Sequence, residues 1–280
     1  MDRSPIVRGR RLMRELRRLR ESSGLDPDEA AERLGFSRSK LYRIENGRTR
    51  VGADDLEDML SLYGVGSPER ESLMRLGRES RRRGWWTRYR DVLPGPYVGL
   101  EAEASSTQVW TCLIPGLFQT TAYARAVITA TGPWLSESEV ERRVAARADR
   151  QEEFFGCGRR VRVHAVIDES ALLRPIGGAV VMHEQLDALL ASASRPEVTI
   201  QVLAFSTGGC AGIDGDFVIL RFPEAEDPPV VYVEGMFGGL YLEAGEGVDR
   251  YALAWAQLTS RALSPEESLV MIKNIAEDER

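Results

Sequence analysis

Lysine is almost absent from this 280-residue chain: of its 37 basic residues only Lys40 and Lys273 are not arginine. Arginine codons are rich in G and C, so the bias points to a high-GC genome and not to a mechanism. Histidine is as scarce, with His164 and His183 alone. Neither stands in a cluster with metal-ligand spacing, which argues against a metal centre or a histidine-based triad. The three cysteines, Cys112, Cys157 and Cys210, are odd in number and far apart, and no pair has C-x-x-C spacing. They are expected to be reduced thiols, at least one of them buried. No stretch approaches the roughly 18 apolar residues that a membrane span needs. The N-terminal arginines are not followed by the apolar run of a signal peptide. The expectation is a cytoplasmic protein with no membrane partner.

What is present is charge, unevenly placed. Hydrophobic residues make up 43% and charged residues 29%, ordinary for a globular chain. The net charge of −6 conceals a split. Residues 1–90 hold 22 basic and 15 acidic side chains, whereas residues 91–280 hold 15 basic and 28 acidic. A net-positive N-terminal module is the electrostatic footprint of phosphate binding, although the whole-chain pI of about 5.3 hides it.

That module reads as five helices. Leu12, Leu16 and Leu19 form an i, i+4, i+7 stripe over about Val7 to Glu21, with six arginines from Arg10 to Arg20 on the remaining face. Gly24 ends it. Asp26-Pro27 supplies an N-cap and a first-turn proline for a short helix to Leu34, stopped by Gly35. Ser37 caps a third helix, Arg38 to about Asn46, with Leu41 and Ile44 inward. A fourth, about Ala53 to Tyr63, buries Leu56, Met59, Leu60 and Tyr63, and a fifth starts at Ser67-Pro68. Two short helices joined by a glycine turn, the second with a bare polar face, make a helix-turn-helix, whose second helix enters the DNA major groove.

The segment LDPDEAAERLGFSRSKLYRIENGR resembles the repressor-type (Cro/phage-repressor, xenobiotic-response-element) helix-turn-helix family, most clearly at Ala31, Leu34-Gly35, Ser37, Leu41, Ile44-Glu45 and Asn46-Gly47. The resemblance implies that Arg38, Ser39 and Arg43 read bases, with arginine suited to guanine O6 and N7. It puts Lys40, Arg48 and Arg50 nearer phosphates and gives Glu45 a bracing role. Asp26, Asp28 and Glu29 depart from the family pattern, which often has a polar residue such as glutamine there. Acids beside phosphate weaken binding unless they are turned away.

RRRGWWTRYR over residues 81–90 marks a junction, its Trp85-Trp86 pair docked on the following domain or serving as a base-stacking platform. Beyond it the pattern is α+β. LEAEASSTQVWTC reads as a helix, LFQTTAYARAVITA as another, and Ser136-Glu137-Ser138-Glu139 opens a long helix towards Phe154. Val161, Val163, Ala165 and Ile167 alternate as a half-buried strand, and a helix follows from Val180 to Ser192. VTIQVLAF, DFVILRF, PVVYVEG and the weaker GLYLEA read as strands, followed by helices at about 247–261 and 264–277. The expected fold is α+β overall: an all-α five-helix domain at 1–83, then a larger α+β domain at 84–280 with a mostly antiparallel sheet.

The blocks GWWTRYRDVLPGPYVGLEAEA, LIPGLFQTTAYARAVI, VRVHAVIDESALL and GDFVILRFPEAEDPPVVYVEG resemble a large actinobacterial regulator family. In that family a repressor-type helix-turn-helix precedes a DUF5753-like, antitoxin-like domain of undefined biochemical role. The resemblance implies a small partner protein encoded next door. It supplies no chemistry.

Catalytic constellations are thin. Asp168-Glu169-Ser170 could pair carboxylates for acid–base work, or simply cap a strand end or bridge to Arg174. Gly209, Gly212 and Gly215 with Asp214 and Asp216 lack both the Walker lysine and the EF-hand spacing, and read as a flexible connection. No enzyme, cofactor or metal is expected. Trp110, Phe118, Phe205, Tyr232 and Tyr241 could line a pocket for a sensed small molecule or form core. Strand edges among 197–242 would suit strand addition by a partner. The expected protein is a cytoplasmic, nucleoid-associated transcriptional regulator. It would bind a palindromic double-stranded DNA operator as a homodimer.

Overall fold

In a computed structural model, residues 5–81, 84–93, 95–156, 158, 161–235, 238–243 and 245–278 are described. Cys157, Arg82 and Arg83, named above, lie outside them. The chain divides into two compact units, residues 1–87 and 88–280.

The N-terminal unit contains α1 (Pro5–Ser22), α2 (Pro27–Leu34), α3 (Arg38–Glu45), α4 (Ala53–Leu62) and α5 (Glu69–Ser80). Its core is the apolar stripe of each helix: Leu12, Leu16 and Leu19 with Ala30, Ala31, Leu41, Ile44, Leu56, Met59, Leu60 and Leu73. α5 packs on α1 and α4, and Gly77 lets it come close to α4. A Cβ at Gly77 would lie 2.4 Å from Leu56 Cδ2. The arginines of α1 serve the unit itself where their partners are described. Arg8 pairs with Glu79, Arg17 with Glu21, and Arg18 with Glu15 and Glu69.

The C-terminal unit is built on one six-stranded sheet. Its elements in order are α6 (Tyr97–Glu101), β1 (Ser106–Thr111), α7 (Thr121–Thr131), α8 (Glu137–Gly156), β2 (Arg162–Asp168), α9 (Ser170–Leu173), α10 (Ala179–Ala193), β3 (Val198–Leu203), β4 (Phe217–Arg221), β5 (Val230–Gly235), β6 (Gly238–Leu242), α11 (Glu246–Arg261) and α12 (Pro265–Asp278). The strand order is β3-β2-β1-β4-β5-β6. β1, β2 and β3 run parallel, while β1–β4, β4–β5 and β5–β6 are antiparallel. The α+β class holds, but the sheet is mixed and not mostly antiparallel.

The source of that difference is β1. LEAEASSTQVWTC was expected to be helical, yet only its first residues, in α6, are, and STQVWT is a strand at the middle of the sheet. Thr107, Val109 and Thr111 alternate on one face, a period-2 pattern that outweighs the helix-forming residues before it. Once β1 is central, the connections through α7–α8 and α9–α10 return the chain to make parallel neighbours, as crossovers with helices do.

Val109, Val163, Ala165, Ile167, Ile200 and Val202 bury one sheet face under α7, α8, α10 and α12. Trp110, Val166, Phe217, Ile219 and Val231 bury the other under α11. Ser136 and Ser264 cap α8 and α12 with Glu139 and Glu267 three residues on, as their sequence predicts.

Candidate nucleic-acid interface

The hinge of the helix pair is set by backbone chemistry. Asp26 accepts the amides of Asp28 and Glu29, and Glu29 accepts the amide of Asp26 in return. At the other end Gly35 takes φ 65°, with Gly35 N–H to Glu32 O and Phe36 N–H to Ala31 O, which closes α2 in a left-handed turn. Two residues later Ser37 Oγ accepts the Lys40 amide and starts α3. Gly47, φ 66°, ends α3 with the same double bond pattern, from Gly47 N to Ile44 O and Arg48 N to Arg43 O. α3 is thus fixed at both ends, and Leu41 and Ile44 anchor one side in the core.

Glu45 braces this pair from inside. Arg20 of α1 donates from Nε and Nη2 to its two carboxylate oxygens at 2.7 and 3.1 Å, and from Nη1 to Leu25 O at 2.9 Å. The two side chains retain only 6% and 7% of their exposure. A two-pronged arginine–carboxylate bond with its remaining donors used is the geometry in which a buried pair holds. Tyr63 lies in the same field. Burial, and then the Glu45 charge, push its phenol up to about 12.

The face left to solvent carries most of the expected DNA contacts. Arg38, Ser39, Arg43, Arg48 and Arg50 are exposed, and Lys40 is half-buried. They are not equally free. Arg43 Nη1 donates to Ser39 Oγ at 3.0 Å, so these two are neighbours on one helical turn. Lys40 is pinned by Asp55 at 2.7 Å and stands 3.7 Å over the Phe36 ring. Arg48 lies over Tyr42 at 5.4 Å. Arg50 donates to Arg81 O at 3.5 Å. Arg38 pairs with Asp28 at 2.8 Å while staying 79% exposed. An ion pair that open to water is worth ~0–1 kcal/mol, so Arg38 can exchange Asp28 for another anion. All three acids at the start of α2 are thereby occupied within the pair.

Tyr42 was missed by the residue reading. Its side chain is 52% exposed, on the stripe Ser39-Tyr42-Arg43-Asn46. The signal was available: with Leu41 and Ile44 inward, i, i+3, i+4 spacing from Ser39 puts Tyr42 outside. Asn46 turns its Nδ2 back to Tyr42 O and ends the stripe.

The other constellations turn out to be structural. Asp168 Oδ1 accepts from the Ser170 amide and hydroxyl, and Glu169 accepts the Phe205 amide at 2.6 Å. Gly212 receives the Trp110 indole N–H at 2.9 Å, and a Cβ there would sit 2.2 Å from the indole ring. Asp216 accepts from Thr111 Oγ1 and the Cys112 amide. His164 bonds Gln201 and meets Trp255 edge-on, and burial pulls its pKa down. Cys112 is exposed and Cys210 half-buried, both free, so neither described cysteine is the buried thiol expected. The five aromatics do not converge. Trp110 and Phe118 belong to the cores on opposite sheet faces and Phe205 is exposed, but Tyr232 and Tyr241 are adjacent at 5.0 Å. Among the described residues no cluster of three or more His, Cys, Asp or Glu could hold a metal, and no helix is long and apolar enough to cross a membrane.

Residues 11–73 match the family model of a helix-turn-helix domain, which supports DNA binding and a role in transcription regulation. No curated protein and no solved structure matches the chain. Residues 95–274 match the model of a domain of unknown function (DUF5753). That match spans more than half of the chain, which therefore belongs to the DUF5753 family and carries a helix-turn-helix domain ahead of it.

Proposed function

We propose that this protein is a sequence-specific regulator that reads an operator through α3. The observation that carries it is the stripe of Arg38, Ser39, Tyr42 and Arg43, solvent-exposed on a helix fixed at both ends and braced by the Arg20–Glu45 pair. Arg43 and Arg38 supply two-pronged donors for guanine, and Tyr42 offers a flat apolar face for a base edge or methyl group. Lys40, Arg48 and Arg50 surround them as phosphate contacts.

One such helix offers few base contacts, so the working form is a homodimer on a palindromic operator, with half-sites about 34–36 Å apart. The C-terminal unit acts as an interaction module for a small, antitoxin-system-like partner protein, with no catalytic role. The resemblance to actinobacterial regulators supports this reading. So does the position of β6 at one sheet edge, exposed where a strand could add, whereas β3 at the other edge is closed at Val202 by Ser268 and Leu263. Chromatin immunoprecipitation of the full chain, with and without the neighbouring gene, gives the operator and its dependence on the partner. Titration of that operator should show affinity falling steeply as salt rises. Salt-independent binding, or no enriched motif, would remove the reading.

A further inference from the structure

Along α8, Arg143, Arg147, Arg150 and Gln151 fall at i, i+4, i+7 and i+8, one face of the helix. Arg150 is paired with a carboxylate. It grips Glu101 through Nε at 2.5 Å and Nη2 at 2.7 Å, with the Tyr97 hydroxyl at 3.5 Å. Arg147, one turn earlier, is not. Its hydrogen-bond partner is the neutral Gln119 Oε1, and among the described residues no carboxylate lies within 4 Å. Gln119 cannot turn away, because its Nε2 donates to Ile114 O at 2.7 Å. The loop that carries it is fastened by Gln151 Nε2 to the Gly116 and Gln119 carbonyls.

Arg147 therefore has five N–H donors and one acceptor. Burial, then the charge of Arg150, drag its pKa down to about 10, against a weaker upward pull from Glu234. Both guanidinium groups converge on Gly116: a Cβ there would have Arg150 Nη1 at 3.2 Å and Arg147 Nε at 3.7 Å. Glycine leaves that space open. Among the described residues, Arg143 Nε is also buried without a partner and the buried Tyr123 hydroxyl finds no acceptor. Beside Arg150 stand the rings of Tyr97, Tyr232 and Tyr241, 4.5 and 5.0 Å apart in turn. Like charges set side by side, with the Arg143 Nε donor out of water and unused, are unfavourable unless an anion completes them.

We propose that the C-terminal unit binds a small-molecule oxyanion, a phosphate or a carboxylate, between Arg147 and Arg143. Arg147 is half-buried and not sealed, so the site is reachable. The opposite side of α8 clamps the segment by which the chain enters this unit. Arg142 binds Asp91 and the Arg88 carbonyl, and Asp149 binds Arg88 and the Tyr89 hydroxyl. A ligand on one side of α8 thus acts on the helix that holds residues 88–91. The inference stands apart from the partner-protein reading and does not depend on it.

The test is thermal unfolding of the full chain at constant ionic strength, in chloride, inorganic phosphate or benzoate. Phosphate or benzoate should raise the Tm above its chloride value in a concentration-dependent way. A response to phosphate alone identifies a phosphorylated ligand, and a response to benzoate alone a carboxylate. Arg147→Met should weaken the effective anion affinity at least tenfold while leaving the chloride Tm equal or higher. The control Arg250→Met, on an exposed helical pair, should respond as the parent does. If Arg147→Met does not fold, Arg147→Lys keeps the charge without the fork and should bind several-fold more weakly. No Tm response to either anion, or an undiminished response in the Arg147 variant tested, overturns the proposal.

Discussion

Arg20 in the N-terminal unit is buried and Arg147 in the C-terminal unit half-buried, both on long helices, and they are opposite cases. Arg20 meets a carboxylate with both prongs and a carbonyl with its remaining edge. Arg147 meets one amide oxygen and two more arginines. Burial costs each of them solvation. Only the first meets a carboxylate among the described residues, so Arg20 is a structural brace, while Arg147 is the group proposed to take a ligand charge.

The sharpest way to break this contrast is at the brace. Glu45→Ala leaves Arg20 buried without its anion and should cost about 3–5 kcal/mol. Urea unfolding followed by a signal confined to residues 1–81 checks it. The double change Arg20→Met/Glu45→Leu should recover most of the loss, since an apolar pair replaces a buried ion pair at little cost. A single variant as stable as the parent would mean that the brace is idle.

Next comes the exposed stripe that the brace supports. Arg43→Ala should cost ~1–3 kcal/mol in operator binding and relax base preference at one position, read by competition with mutated operators. Unchanged binding would shift the reading helix elsewhere. Arg147→Met carries the contrast into the other unit with the opposite sign. Without an anion it should be neutral or stabilise by about 1 kcal/mol, by the same urea assay.

The Tyr63 phenol gives a pH test of the brace. Its pKa is near 10 when unfolded and about 12 when folded, so the unfolded chain releases the proton first. The stability from burying neutral Tyr63 is complete below pH 10 and is lost as pH rises through 12. Tyr63→Phe should flatten the alkaline limb of the stability curve, and at neutral pH it deletes only a hydroxyl without a partner. The smallest effect belongs to Asp28→Asn. It releases Arg38 and removes one charge facing phosphate, for a gain of about 0.5 kcal/mol in DNA affinity. That gain should shrink at high salt.

The helices of the N-terminal unit could be read from the sequence because each is specified within a few residues. Asp26-Pro27, Gly35, Ser37 and Gly47 act on their own backbone, and the stripes of Leu12, Leu16 and Leu19 or Leu41 and Ile44 declare their inner faces. The reading faltered where residues far apart decide. STQVWT became a strand because Val109 pairs with Ala165 on one side and Val218 on the other, 56 and 109 residues away. Tyr42 faces outward by the spacing of Leu41 and Ile44, but as an uncharged aromatic it carries no charge signal for DNA. The Arg38–Asp28 pair was not visible at all, and it turns the acids of α2 from an obstacle into an internal counter-charge.

By itself the sequence determined that a basic helix-turn-helix precedes an acidic α+β region, since caps, glycine turns and apolar spacing are local. Only the tertiary structure decided that the sheet is mixed, that Glu45 neutralises Arg20, and that Arg147 meets a neutral amide and, among the described residues, no carboxylate. Those outcomes depend on which distant groups meet out of water. Chain-local chemistry offers every arginine of this chain alike, and the partner that the fold brings to each one tells them apart.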